Sequence, residues 1–96
     1  METLALLSFL LPIMQAAPAS SPLLLVCNKH EDTMSFVDPA TLEPVAKIPV
    51  GPNPHEIVLS KDRRFAYLSN YAPPGNTISV IDLVERRHIK QISTGD

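Results

Sequence analysis

The hexapeptide TMSFVD at residues 33–38 recurs 44 positions later as TISVID at residues 77–82. Three of the six residue pairs are identical, and the other three exchange one apolar residue for another. The same offset pairs Gly51 with Gly95. Alternating apolar and small polar residues, bounded by Asp, are typical of short β-strands. The sequence therefore predicts a fold built from a repeated β-sheet unit.

The repeat extends upstream of this pair with a slightly different offset. LVCN at residues 25–28 matches YLSN at residues 67–70, 42 positions later. The loop APPGN at residues 72–76 absorbs the difference, because proline and glycine mark turns and loops. A period of 42–44 residues lies in the ~40–45-residue range of four-stranded β-propeller blades.

Seven short segments have the composition of strands, and downstream of the N-terminal apolar stretch no segment has the 3.6-residue period of an amphipathic helix. We therefore predict an all-β protein. One predicted strand contains Pro49, which has no amide donor and should lie at a sheet edge. The predicted strands are 23–28, 34–38, 45–50, 55–60, 65–70, 78–82 and 88–94.

Four motifs resemble the YVTN family of β-propeller repeats. YLSN at 67–70 resembles the Tyr-Val-Thr-Asn signature, and NTISVID at 76–82 is similar to the second blade motif. KQISTG at 90–95 and GPNPHEIVLS at 51–60 are similar to the strand that ends a repeat and the Pro-His segment that opens the next. The resemblance covers residues 23–96 and implies a YncE-like or lactonase-like seven-bladed propeller.

One departure from the family pattern lies in a hairpin turn. The family has Ser-Pro-Asp-Gly there, whereas this chain has SKDR at residues 60–63. Arg63 is therefore expected to adopt the positive φ that glycine adopts readily, at a cost of about 1 kcal/mol.

The resemblance implies that the Pro-His strand is innermost, beside the central channel, and that the Lys-Gln-Ile-Ser-type strand is outermost. The chain then contains about two partial four-stranded blades, at residues 23–53 and 54–96, and the first lacks its inner strand. Because propellers need ~4–8 blades, we expect an N-terminal fragment of a longer product whose remaining blades are its partners. The alternative is a short protein whose copies assemble.

The N-terminal segment predicts export. Residues 4–14 form an apolar stretch that is too short to span a bilayer but fits a signal-peptide core. We assign residues 1–19 to a signal peptide and 20–22 to a short linker, which predicts a periplasmic or extracellular protein with no membrane span in the mature chain. Residues 1–3 contain no Lys or Arg, so an uncleaved extension is the alternative.

Charge and cysteine content exclude several classes of function. The 96 residues carry a net charge of −2, which supplies no basic surface for nucleic acid. Hydrophobic residues make up 45% of the chain, too many for a disordered tail. A single cysteine, Cys27, excludes a disulfide within the chain and is typical of a buried strand residue.

His55 and Glu56 are the candidate ligand-binding residues. The resemblance places them at the mouth of the channel, where side chains from several blades could bind an anionic ligand, and His55 is a weak candidate for a metal ligand. The alternative is that His55 holds the proline-rich turn through hydrogen bonds. The sequence assigns no catalytic residue, and it identifies no cofactor.

Other polar residues are better explained by local structure. His30, Glu31 and Asp32 are expected in a solvated turn, and Asp38 and Asp82 in Asx-type turns. Two asparagines, Asn28 and Asn70, are expected to form hydrogen bonds at equivalent strand ends.

The leading functional prediction is an exported scaffold that binds a small-molecule or protein ligand. The alternative is part of a propeller enzyme, either a lactonase-like hydrolase or a cofactor-dependent oxidoreductase, with its site at the channel. The chain alone is not expected to be an enzyme, and it is expected to bind no nucleic acid. Fold resemblance cannot choose between binding and catalysis, because one fold supports many chemistries.

Overall fold

The structure is a computed structural model that describes residues 22–73 and 75–95, so the predicted signal peptide lies outside the described residues. Within these ranges all regular structure is β-strand, and there is no helix that could cross a membrane. The strands are β1 (Leu24–Asn28), β2 (Thr33–Val37), β3 (Pro44–Pro49), β4 (Pro54–Leu59), β5 (Phe65–Asn70), β6 (Asn76–Asp82) and β7 (Arg87–Gly95).

The strands form two antiparallel sheets. Sheet 1 has the order β1-β2-β3, and sheet 2 has the order β4-β5-β6-β7. Within each sheet, strands that are consecutive in sequence pair with one another, as short hairpin connections favour. The prediction of an all-β fold is confirmed. Pro49 ends the edge strand β3, so its missing amide costs the sheet no internal hydrogen bond.

The internal repeat maps directly onto the two sheets. Strands β1, β2 and β3 correspond in sequence to β5, β6 and β7, and they have the same order in their sheet. Strand β4 has no counterpart in sheet 1. The described chain thus contains a three-stranded and a four-stranded version of one unit.

The hydrophobic core lies between the sheets. Met34 and Phe36 of sheet 1 pack with Ala66, Leu68 and Ile81 of sheet 2, and each of these side chains is at most 1% exposed. Half-buried side chains from both sheets, among them Leu25, Cys27, Ile48 and Ile57, surround this cluster.

Each sheet also has an apolar face that points away from the core, because side chains alternate along a strand. We call these the open faces. The open face of sheet 1 contains Leu24, Val26 and Val37, and that of sheet 2 contains Val58, Tyr67, Ile78, Val80 and Ile92. Val26, Tyr67 and Ile92 are about equally exposed, at 40%, 38% and 39%.

Local hydrogen bonds explain the turns. Asp38 Oδ1 accepts from the amide of Ala40, and Asp82 Oδ1 accepts from those of Val84 and Glu85, so both predicted Asx turns are confirmed. Arg63 has φ of 60°, as the departure from the family pattern predicted.

The two asparagines that end β1 and β5 form the same network. Asn70 Nδ2 donates to Thr77 Oγ1 at 3.0 Å and to Ser79 Oγ at 2.8 Å. Asn28 Nδ2 donates to Thr33 Oγ1 and Ser35 Oγ at 3.0 and 2.9 Å. The predicted strand-end role of both asparagines is therefore confirmed, and we call each set an Asn–Thr–Ser network.

Candidate functional site

A depression of about 440 Å³ lies at the end of sheet 2 where β4 begins and β5 ends. It brings together the two candidate residues, His55 and Glu56, with polar and apolar side chains from β5, β6 and β7. Its lining residues are His55, Glu56, Ser69, Asn70, Tyr71, Asn76, Thr77, Ile78 and Thr94.

A β-bulge positions His55. Pro54 pairs with Asn70 and Glu56 pairs with Ser69, so His55 is the extra residue of the β4–β5 ladder. Bulges re-aim side chains near strand ends. The exposed imidazole of His55 lies edge-on to the Tyr71 ring, with 5.5 Å between the ring centroids and an interplanar angle of 67°. The two rings form an aromatic wall of the depression.

Glu56 supplies the negative charge of the depression. Its amide donates to Ser69 Oγ at 3.2 Å, which holds the residue beside β5. The contact between Ser69 Oγ and Glu56 Oε1 is long, at 3.5 Å, and the side chain is exposed. The carboxylate thus remains open to a ligand that donates hydrogen bonds.

The proline-rich turn is held by a residue that the sequence reasoning did not select. Asn53 donates from its amide to Asp32 Oδ1 at 2.8 Å and from Nδ2 to the Tyr71 carbonyl at 2.7 Å. Its carbonyl accepts from the Tyr71 amide at 3.1 Å. An asparagine between two prolines is the sequence feature that could have indicated this role. Asn tolerates the positive φ that such a turn needs, and Asn53 has φ of 58°. These bonds do the work that the alternative interpretation gave to His55.

Asn70 forms a buried part of the wall. The residue is 1% exposed, and its Oδ1 atom has no hydrogen-bond partner among the described residues. A buried acceptor without a partner costs free energy, which a donor group nearby would recover. The sequence predicts only a structural role for Asn70, and its Nδ2 atom has that role.

The other polar candidates are used locally. Glu31 accepts from Lys47 Nζ at 2.9 Å, and this hydrogen bond, together with one from Thr33, lowers the pKa of the Glu31 carboxyl below its ordinary value. Within residues 22–73 and 75–95, no group of three or more His, Cys, Asp and Glu side chains is arranged to hold a metal ion. Cys27 is half-buried, and burial raises the pKa of its thiol, which disfavours the reactive thiolate.

Comparison with known proteins supports the fold. No protein-family profile and no curated protein matches the chain. A solved structure of Kuenenia stuttgartiensis hydrazine synthase, a propeller protein, is similar, with 34% identity and a TM-score of 0.72. The match covers 77% of this chain and 21% of that chain, so this chain spans about a fifth of its length. The repeat, the sheet order and this similarity together identify two partial blades of a β-propeller.

Proposed function

We propose that this chain belongs to an exported β-propeller repeat protein of the YVTN type that acts as a ligand- or protein-binding scaffold. The observation that carries the proposal is the convergence of His55, Glu56 and Tyr71 on one depression at a sheet end. Exposed binding groups on a rigid sheet are typical of propeller proteins, whose scaffold supports the loops and strand ends that bind.

The chemistry of the depression suits a particular kind of ligand. The His55 and Tyr71 rings offer an aromatic wall, and the Glu56 carboxylate accepts hydrogen bonds. We therefore expect a small molecule or a protein side chain with a flat apolar part and a hydrogen-bond donor. Ligand sites commonly combine apolar walls with a few polar groups in this way.

Fragment screening by two-dimensional amide NMR tests the binding site. We expect fragments with an aromatic ring and an amine or amide donor to shift the amide signals of Glu56, Ser69 and Tyr71. His55→Ala and Glu56→Gln should each remove these shifts. The matched control is His88→Ala, because His88 lies in β7 and its Nε2 contacts the Lys90 carbonyl oxygen outside the depression. Shifts that persist in both site variants would refute the assignment.

Expression in a secreting host tests export separately. We expect the secreted product to begin at Ser20, which follows the assigned cleavage point after Ala19. Recovery of the intact chain inside the cell, with Met1 or Glu2 at its terminus, would contradict export and leave the binding proposal untouched.

A second candidate function is part of a propeller enzyme, either a lactonase-like hydrolase or a cofactor-dependent oxidoreductase. The observation in its favour is the similarity to hydrazine synthase, a protein whose name denotes an enzyme. His55 is the side chain in the depression that could act as a general base. Hydrolysis of γ-butyrolactone that His55→Ala abolishes would favour the hydrolase, whereas fragment binding without turnover favours the scaffold.

A further inference from the structure

Within residues 22–73 and 75–95, the Asn–Thr–Ser network of sheet 2 has one hydrogen-bond donor that the network of sheet 1 lacks. The Gly51 amide, which follows β3, donates to Ser79 Oγ at 2.9 Å and so connects the end of sheet 1 to the buried interior of sheet 2. Gly51 packs so closely on the Asn70 side chain that a Cβ atom would clash with it. In sheet 1 the corresponding serine is Ser35, whose Oγ accepts from Asn28.

The sequence repeat identifies the missing donor. Gly95 corresponds to Gly51 in the repeat; it is the last residue of β7, whereas Gly51 lies two residues after the end of β3. Gly95 is exposed, has φ of 94°, and has no atom within 4 Å of the position that a Cβ would take. The Gly95 amide makes one long hydrogen bond, to Ser93 Oγ at 3.4 Å, which a shorter bond to a second copy could replace. Among the described residues, Ser35 Oγ accepts from the Asn28 side chain and from no backbone amide.

The open faces show the same complementarity. Tyr67, Ile78 and Ile92 on the open face of sheet 2 correspond to Leu25, Met34 and Ile48, which pack toward the core from sheet 1. The converse holds for the open face of sheet 1. Its residues Leu24, Val26 and Val37 correspond in the repeat to three core residues of sheet 2, which are Ala66, Leu68 and Ile81. The open face of each sheet therefore corresponds in sequence to the core-facing side of the other sheet. The two open faces should pack on each other as the two core-facing sides do within the chain.

We propose that a second copy of this chain stacks head to tail on the first, with the open face of its sheet 1 against the open face of sheet 2. In this arrangement the Gly95 amide of one copy donates to Ser35 Oγ of the next, as Gly51 donates to Ser79 within the chain. The contact is heterologous, because the two surfaces differ, and repeated contacts close into a ring when the rotation permits. Since propellers close with ~4–8 blades, a ring of about two to four copies is expected.

The proposal is independent of the ligand-binding function, and sedimentation velocity with the full chain tests it. We expect a discrete oligomer of the wild type. Val26→Asp and Ile92→Asp each place an unpaired carboxylate on one open face, and burying such a charge is strongly unfavourable, so each variant alone should be monomeric. A mixture of the two should form a one-to-one dimer, because each variant keeps the face that the other has lost.

Two controls separate loss of assembly from loss of folding. Leu42→Asp changes a side chain that is 71% exposed in the β2–β3 turn, and this variant should assemble like the wild type. Gly95→Ala meets no neighbouring atom within one chain, although alanine is strained at its φ of 94°, so urea unfolding is measured beside assembly. We expect assembly to be lost while the shared core still unfolds cooperatively, because the added methyl group would lie where the next copy packs. A monomeric wild type, a mixture that stays monomeric, or a Gly95→Ala variant that still assembles would overturn the proposal.

Discussion

At the scale of single residues, the contact between Gly51 and Asn70 shows how a glycine can be required without unusual backbone geometry. Gly51 is buried, its amide bonds to Ser79, and the Asn70 side chain occupies the space where a Cβ would lie. The requirement is therefore steric. Gly95 is the opposite case, since it has open space around it but a positive φ.

Gly51→Ala is expected to lower the free energy of unfolding by about 1–3 kcal/mol, the usual range for overpacking a well-packed interior. Asn70 would have to move, which strains its hydrogen bonds to Thr77 and Ser79. Urea unfolding followed by circular dichroism measures the change. Equal stability of the wild type and the variant would contradict the close packing seen here.

Asp82 is expected to make stability depend on pH in the acid range. Hydrogen bonds from the Glu85 and Val84 amides, together with the Arg64 guanidinium at 3.3 Å, lower the pKa of the Asp82 carboxyl below its ordinary value. The unfolded carboxyl titrates near pH ~3.9, so the stabilisation is present above that pH and is lost as pH falls through the lower, folded pKa. Thermal melts from neutral pH down to about pH 2 should show this loss.

Asp82→Asn provides the comparison for that measurement. The amide does not titrate in this range, so the melting temperature of the variant should start lower at neutral pH and fall less steeply on acidification. Parallel pH profiles for the two proteins would show that the Asp82 carboxylate is not a source of the acid sensitivity.

At the scale of elements, the β4–β5 hairpin contains a strained backbone position, Arg63, that glycine would relieve. Arg63 has φ of 60°, and its amide donates to the Ser60 carbonyl at 2.9 Å, so the left-handed conformation is part of the turn. Ser60 and Asp62 hold the turn further, through a bond of 2.7 Å between Ser60 Oγ and Asp62 Oδ1. The side chains therefore enforce a conformation that suits glycine.

Arg63→Gly is expected to stabilise the protein by up to about 1 kcal/mol, because glycine adopts positive φ without the steric cost that other residues incur. Lys61→Gly in the same turn is the matched control, and it should be neutral or destabilising, since Lys61 does not have positive φ. Urea unfolding of both variants checks the prediction. A lower free energy of unfolding in Arg63→Gly would mean that the arginine side chain stabilises the fold by more than its positive φ destabilises it.

The positions of the strands could be predicted from the sequence, but the β-bulge at His55 could not. The predicted strands match β1 to β7 to within about two residues at each end, a usual uncertainty for strand boundaries. The bulge that exposes His55 was not predicted, because it depends on how Pro54 and Glu56 align with β5. Pairing register across two strands is not encoded by the local pattern of one strand.

At the scale of the whole molecule, the two sheets share one core and should unfold together. Phe36 is 1% exposed between them, and the Arg86 guanidinium of the β6–β7 turn lies 5.7 Å from its ring centroid. The Phe36 side chain of sheet 1 is therefore covered by residues of sheet 2 and of its β6–β7 turn. Among the described residues, the hydrophobic cluster at the centre of the molecule contains side chains from both sheets.

Phe36→Ala is expected to destabilise the protein by about 3–5 kcal/mol, the usual cost of removing a buried phenylalanine. Amide hydrogen exchange should show that protection is lost in both sheets at once. The control, Leu42→Ala, alters a largely exposed turn residue and should leave protection nearly unchanged. Persistent protection of β5 and β6 in Phe36→Ala would show instead that sheet 2 is stable alone.

By itself, the sequence determined the strand order, the repeat and the turns, because each depends on residues that are neighbours along the chain or recur at a fixed offset. It also singled out His55 and Glu56. Only the tertiary structure showed that Asn53 holds the proline-rich turn and that Asn70 has an unpartnered oxygen beside the candidate depression. These features depend on contacts between β-strands and turns distant in sequence, and such contacts exist only once the two sheets have packed.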